Sequence, residues 1–260
     1  MTNMLHRLST TDIAEIDKSD ALVVQPIGAV EQHGPHLPVM TDAFVAEQVA
    51  ALAADAAGGN VWILPTLSYG KSTEHLGWAG TMSLSSETLL AVLKDVGRSV
   101  AASGFTRLAF VNGHGGNPAT LDVAARDIRT ETGLLVFPVT TGRLGVPAGL
   151  DLPDAEFSIH GGHVETSVML HLAPQAVHMD RAVPGGAQLP ELFPGDGELT
   201  LEGPLPTAWI SDDLTTNGVI GDPRAASAEI GKEIVEHWAG RLAAAFRQMA
   251  AFAFRTGSAS

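Results

Sequence analysis

The chain contains no cysteine. That excludes disulfides and thiolate ligation, so any bound metal must be held by oxygen and imidazole donors. Basic residues are scarce: 15 Lys and Arg stand against 29 Asp and Glu, a formal charge of −14. Nucleic-acid binding is thereby disfavoured, because phosphate contacts need clustered Lys and Arg. The acid excess concentrates between Asp151 and Asp213, where Arg181 is the single base, and is read as a solubility feature. No apolar run approaches the ~18 residues of a membrane span, and the opening segment MTNMLHRLSTTD has no apolar core of a secretion signal. A cytoplasmic, membrane-free protein is expected. With 260 residues and 45% hydrophobic content, the chain is long enough for one α/β domain, expected over residues 1–254, with 255–260 as a disordered tail.

Hydrophobic periodicity alternates along the chain. Helices are expected near residues 11–17, 42–57, 86–103, 118–132 and 164–172, and strands at 21–27, 61–64, 107–112 and 134–139. This alternation predicts a three-layer α/β/α fold with a mainly parallel central sheet. Asp222-Pro223 reads as the start of a last helix, in which Ile230, Ile234, Trp238, Leu242 and Phe246 recur at helical spacing. That stripe is read as core or subunit interface. Residues 183–209 are rich in Pro and Gly and too long for an ordinary connection, which suggests a lid or an oligomer contact.

Polar residues cluster where the strands end. Glu31 and His33 follow the apolar run 21–27; two apart on extended chain, they point the same way. Asp42 opens the next helix and returns a third donor. The second run, 107–112, ends in Gly113-His114-Gly115-Gly116-Asn117-Pro118, with Asn117 as the expected helix cap and Pro118 in the first turn. Ligands of open α/β sheets lie outside the carboxyl ends of strands, so the two clusters have a common place to meet. A third cluster, His160-Gly161-Gly162-His163-Val164-Glu165, opens another helix. Glu31, His33, Asp42, His114 and Glu165, five such residues at element ends, would be costly to bury without a metal or partners, and the mix suits a metal-dependent hydrolase. His6, His171, His178 and His237 are read as ordinary surface or hydrogen-bonded residues. A dinucleotide site fails on spacing, since the third glycine of G-x-G-x-x-G would fall on Pro118, and no H-E-x-x-H occurs.

EQHGPHLPVMTD (31–42), Ser72-Thr73-Glu74-His75 with Gly80-Thr81, NGHGGN (112–117) and HGGHVETS (160–167) together resemble the creatininase family of metal-dependent amidohydrolases, from about Leu8 to Leu242. The resemblance implies two divalent ions, Zn2+ with Mn2+ and Fe2+ as alternatives. It puts Glu31 and His114 on one ion, His33 on the other, Asp42 between them and Glu165 as the remaining carboxylate. It also implies His160 as the proton-transferring residue, Glu74 as a further catalytic residue, and Ser72, His75 and His163 near the substrate. A small-molecule substrate and a homo-oligomer, a hexamer, are expected too. The reaction implied is hydrolysis of a carbon–nitrogen bond in a small amide, cyclic amide or formamide. Oxidised cyclitols and peptides are alternative substrates, and a non-catalytic metal-binding subunit is the rival outside enzymes. Creatinine hydrolases carry Glu where this chain has Gly116, use tryptophans between the third and fourth motifs where it has none, and many relatives have an acid at His163. Poor activity on creatinine is therefore expected.

Overall fold

The computed structural model describes residues 4–150, 152 and 157–254; the expected tail, 255–260, lies outside them. Four parallel strands form one sheet in the order β2-β1-β3-β4: β1 (Leu22–Ile27), β2 (Val61–Ile63), β3 (Arg107–Asn112) and β4 (Leu135–Thr140). β1 is buried along its whole length, as a central strand with both faces covered must be. Pro26 is tolerated there because its missing N–H falls where β2 has already ended: the last β1–β2 pair is Val24 with Ile63, and the Pro26 carbonyl instead accepts from Leu67 N–H at 3.0 Å.

Alternate side chains of the strands build two cores. Leu22, Val24, Ala109 and Val111 face α2 (Thr41–Ala57), α5 (His163–Leu172) and α8 (Ala228–Ala251). Val23, Ile27, Leu108 and Phe110 face the other way, onto α3 (Ser86–Ala102) and α4 (Pro118–Thr132). The fold is thus the expected three-layer α/β/α arrangement, and the short helix α1 (Thr10–Glu15) also falls where expected. Among the described residues no helix is long and apolar enough to cross a membrane.

One expectation is corrected. The last helix begins at Ala228, not at Asp222-Pro223, because the Ser227 hydroxyl caps it by accepting from Ile230 N–H, while Asp222 is tied to Arg224. Its stripe of Ile234, Trp238, Leu242 and Phe246 is buried inside the chain, which is the core alternative of the two expected. Residues 183–209, which carry α6 (Leu189–Leu192), join α7 (Ser211–Leu214) in closing a third small core of Leu189, Leu201, Leu214 and Ile220.

The register places the site. Ile27 pairs with Asn112, and Asn112 with Thr140, so three strands end at one level. The chain leaves β1 toward β2 and β3 toward β4, in opposite directions along the sheet, and the gap between β1 and β3 is the crevice such a switch creates.

Candidate metal centre

Asp42 enters that crevice because two glycines admit it. A Cβ on Gly28, just past β1, would lie 2.2 Å from Ala43 N, and one on Gly113, just past β3, 2.4 Å from Asp42 O. Only a residue without a side chain lets the first turn of α2 press this closely against both strand ends. The helix N-terminus also favours a carboxylate there.

Around Asp42 the other donors converge. His114 Nδ1 lies 3.0 Å from Asp42 Oδ2 and 3.2 Å from Glu31 Oε2, while His33 Nε2 lies 3.1 Å from Asp42 Oδ1. Backbone carbonyls orient both rings. His114 Nε2–H donates to Lys71 O at 2.8 Å and His33 Nδ1–H to Glu31 O at 3.1 Å, so in the neutral rings the nitrogen turned toward Asp42 is the one with a lone pair. Glu165, in the first turn of α5, reaches back until its Oε2 lies 3.9 Å from His33 Nε2, and it accepts from Gly161 N–H at 2.6 Å. His160 Nε2–H donates to Gln32 O at 2.6 Å, which leaves Nδ1 facing Glu31 Oε1 at 3.6 Å. Its ring stacks on His75, with centroids 4.2 Å apart.

Glu31, His33, Asp42 and His114 are at most 3% exposed. With His114 neutral and its proton on Nε2, Glu31 Oε2 and Asp42 Oδ2 have no hydrogen-bond donor among the described residues. Buried carboxylate oxygens without donors are costly unless a cation meets them. Glu31, Asp42 and His114 can bring three donor atoms within 4.8 Å of one another, and so can His33, His160 and Glu165, and Glu31, His75 and His160. The donor set fits a divalent ion of borderline hardness.

Charge in the metal-free cage is rearranged accordingly. Burial alone would lower the His33 pKa, but the facing Asp42 carboxylate overrides it and raises it to about 10. His114 is likewise raised, against burial, by Glu31 and Asp42. Asp42 is held well below the usual carboxylate range because the two imidazoles outweigh its burial. Burial, with Asp42 and Glu31 adding to it, pushes Glu165 up to about 7, against the pull of His33. His160 is lowered well below the ordinary histidine value, first by burial and then by His33 and His75.

The Creatininase family model, described as creatinine amidohydrolase, matches residues 6–246. The chain belongs to the creatininase family. It is 36% identical over 242 residues to the mycofactocin precursor peptide peptidase of Mycobacterium ulcerans (strain Agy99), covering 89% of this chain and 86% of that one. To the creatinine amidohydrolase of Pseudomonas putida it is 31% identical over 260 residues, covering 90% and 92%. A solved structure named creatininase Mn superposes with a TM-score of 0.75 at 26% identity, over 95% of this chain and 98% of that one. These relatives are hydrolases, and so is this member of the creatininase family.

Against the family pattern, Gly116 is informative. A Cβ there would lie 2.1 Å from Glu74 Oε1 and 2.5 Å from His114 Nε2. The Glu74 carboxylate therefore occupies the room that a side chain at 116 would need. It lies 3.5 Å from His114 Nε2 and accepts from Lys71 Nζ at 2.6 Å.

A cleft of about 260 Å3 opens onto the cage, and Glu74, His75 and His160 line it. Ser72 and His163, expected beside the substrate, are not on its wall. Ser72 is buried, with its N–H donating to Ser83 Oγ, and His163 sits close enough to Asp222 to help lower a carboxyl that Arg224 chiefly holds down. Asn117 stands at the N-cap of α4 as expected, but its side chain makes no cap bond; it instead bonds Gly28 O, Asn112 Oδ1 and Lys71 N–H, and so ties the β1 and β3 ends together. His36 likewise braces α5, through Thr166 Oγ1 at 2.8 Å.

Sequence reasoning overlooked Lys71, Gln32 and Trp209. Lys71 and Trp209 line the cleft, and Trp209 meets His75 edge-on with centroids 6.2 Å apart. The cleft thus has an aromatic side chain, supplied from beyond the fourth motif and not from the Trp-free segment between the third and fourth. Gln32, buried between two sequence-predicted donors, places Nε2 3.0 Å from His75 Nδ1 and from Gly218 O. Its position inside the EQH motif was a signal; nothing local marked Trp209.

Proposed function

We propose that the chain hydrolyses a carbon–nitrogen amide bond with two divalent ions, Glu31 and His114 on one, His33 and Glu165 on the other, and Asp42 shared between them. The observation that carries this reading is the pair of buried carboxylate oxygens, Glu31 Oε2 and Asp42 Oδ2, that lack donors and face His114. Zn2+ is the first choice and Mn2+ or Fe2+ the alternatives; the donor set has no thiolate to narrow it. When bound, such ions supply a Lewis acid for the carbonyl and water activated near neutral pH.

The protein's own groups do the rest. Asp42 and Glu31 hold the negative side of the cage in place, and the Lys71 and Glu31 carbonyls fix the imidazole tautomers. His160, kept neutral by burial, can take a proton from the attacking water and return it to the leaving nitrogen. One C–O bond forms, one C–N bond breaks, and the proton moves from oxygen to nitrogen. Glu74 steadies His114 from outside the cage. Residues 202–209, which bring Glu202, Thr207, Ala208 and Trp209 to the cleft, serve as its cover.

Small amides, cyclic amides and formamides are the proposed substrates. Peptide amides gain weight from the 36% identity to a peptide peptidase. Residues 1–254 are proposed as one domain, working in the cytoplasm as a homo-oligomer, a hexamer. The test is elemental analysis of the purified protein with an amide panel before and after chelation. Bound transition metal and activity that a chelator removes and Zn2+ or Mn2+ restores are expected; a metal-free protein with chelator-insensitive activity refutes the reading. Creatinine itself should be a poor substrate because Gly116 replaces a carboxylate, and efficient creatinine turnover would contradict that.

A further inference from the structure

The hydrogen bonds around Gln32 decide where the proton of His75 sits. Gly34 N–H donates to Gln32 Oε1 at 2.8 Å, which fixes the oxygen end of this buried amide. A Cβ on Gly218 would lie 2.0 Å from the same oxygen, so only glycine admits the amide there. Gln32 Nε2 then has two protons for three neighbours at 3.0 Å: Gly218 O, His75 Nδ1 and His160 Nε2. A carbonyl oxygen can only accept, so the 2.6 Å contact between His160 Nε2 and Gln32 O makes that nitrogen a donor. It has no lone pair left for Gln32. One amide proton therefore goes to Gly218 O and the other to His75 Nδ1. Ser211 Oγ, fully buried in α7, lies 2.5 Å from the same Nδ1 and donates to it as well. With Nδ1 accepting, the neutral His75 ring carries its proton on Nε2.

That proton forms no hydrogen bond among the described residues. Glu31 Oε1 is 3.6 Å from Nε2, beyond bonding range, and His75 lines the cleft. His160 Nδ1, with its lone pair free, lies at the same 3.6 Å from the same oxygen. The two stacked rings thus present a donor and an acceptor side by side over Glu31. We propose that His75 is a second catalytic residue, whose Nε2–H donates a hydrogen bond to the amide's carbonyl oxygen as that oxygen gains negative charge, with Gln32 and Ser211 as its positioning residues. The inference rests on the amide-hydrolase reading above and adds a residue to it. The proton stays on His75 throughout, so the transfer from oxygen to nitrogen through His160 is unchanged. Glu31, His75 and His160 lie close enough together to form a donor triad, yet His75 is no ion ligand, because the nitrogen turned toward Glu31 has no lone pair to give.

The experiment uses metal-loaded full-length enzyme with N-formylglycine, hydantoin and acetyl-glycyl-glycine, one of each proposed kind of amide. On whichever the wild type turns over, His75→Leu should lower kcat by about 100–1000-fold, the usual loss when one oxyanion donor is removed, with KM changed far less and metal content unchanged. His75→Gln, whose amide can still donate from near the same place, should recover about tenfold or more of that loss. Nitrogen-15 NMR of histidine-labelled, zinc-loaded protein, with His75→Gln to identify the signal, reads the tautomer directly. Nε2–H is expected, and Gln32→Glu, which turns the amide donor into an acceptor, should move the proton to Nδ1. A wild type with Nδ1–H overturns the proposal even where a His75 variant fails to fold. His75→Leu with near-native kcat, or His75→Gln no faster than His75→Leu, overturns it and leaves the hydrolase reading standing. Metal lost from both His75 variants would make the residue a ligand and overturn it too. A metal-loaded wild type that cleaves none of the three amides overturns the hydrolase reading, and this role with it.

Discussion

Replacing Asp42 by Asn keeps the side chain's shape at the start of α2 and removes only its charge. In the structure Asp42 lies 3.1 Å from His33 Nε2 and 3.0 Å from His114 Nδ1, buried at 3% exposure. Glu31 faces both rings too, at 3.2 Å from His114 Nδ1 and 4.0 Å from His33 Nε2, but Asp42 approaches each of them more closely. A unit charge about 4 Å from another interacts by about 4 kcal/mol at an effective dielectric of ~20, and each ~1.4 kcal/mol is tenfold in affinity. Asp42→Asn should therefore weaken each ion's binding by about a thousandfold, and more where the ions then repel each other unscreened. Glu165→Gln, which alters a side chain 30% exposed and 3.9 Å from His33, should cost less and at one site. Competition titrations against a chelator of known affinity read both constants, and the thermal midpoint of the metal-free protein checks that α2 still packs. Two ions bound by Asp42→Asn with near-native affinity would show that Asp42 does not join the halves.

Three further outcomes follow from the same geometry. His160→Ala should abolish turnover while metal content stays intact, since His160 is proposed to carry protons; loss of metal would make it a ligand, a role its closeness to His33 and Glu165 would allow. Gly116→Ala puts a Cβ where Glu74 Oε1 and His114 Nε2 now lie, and should weaken metal binding by about 10–100-fold, the usual effect of disturbing a ligand's outer partner; unchanged affinity would mean that Glu74 does not steady His114. His33, raised to about 10 beside Asp42, is protonated at pH 7, so metal loading must expel its proton. Titration calorimetry in two buffers of different ionisation enthalpy should show that release, and no buffer dependence would refute it. In the metal-free protein the same pair stabilises fully below the ordinary histidine pKa and is lost as pH rises through about 10.

What the sequence determined by itself was local. Continuous apolar runs marked β1 and β3, helical periodicity marked α2, α3 and α4, and Gly, His and carboxylate residues at strand ends marked the crevice. These signals survive because each depends on the next few residues of chain. Asp222-Pro223 misled because a proline and an acid also suit the Arg224-tied turn that precedes α8. Asn117 misled because its side chain bonds residues 46 and 89 positions away, and no local rule sees those partners. The places of Trp209 and Lys71 in the cleft, and a chamber of about 220 Å3 lined by valines behind Asp42 and Glu165, were decided only by tertiary structure. Residues 202–209 reach the cage through the small core around Leu201 and Leu214, and the chamber exists only where α2, α5 and α8 meet over the strand ends. Periodicity along a chain says which face of a helix is apolar; it carries no information about which faces enclose an empty space together.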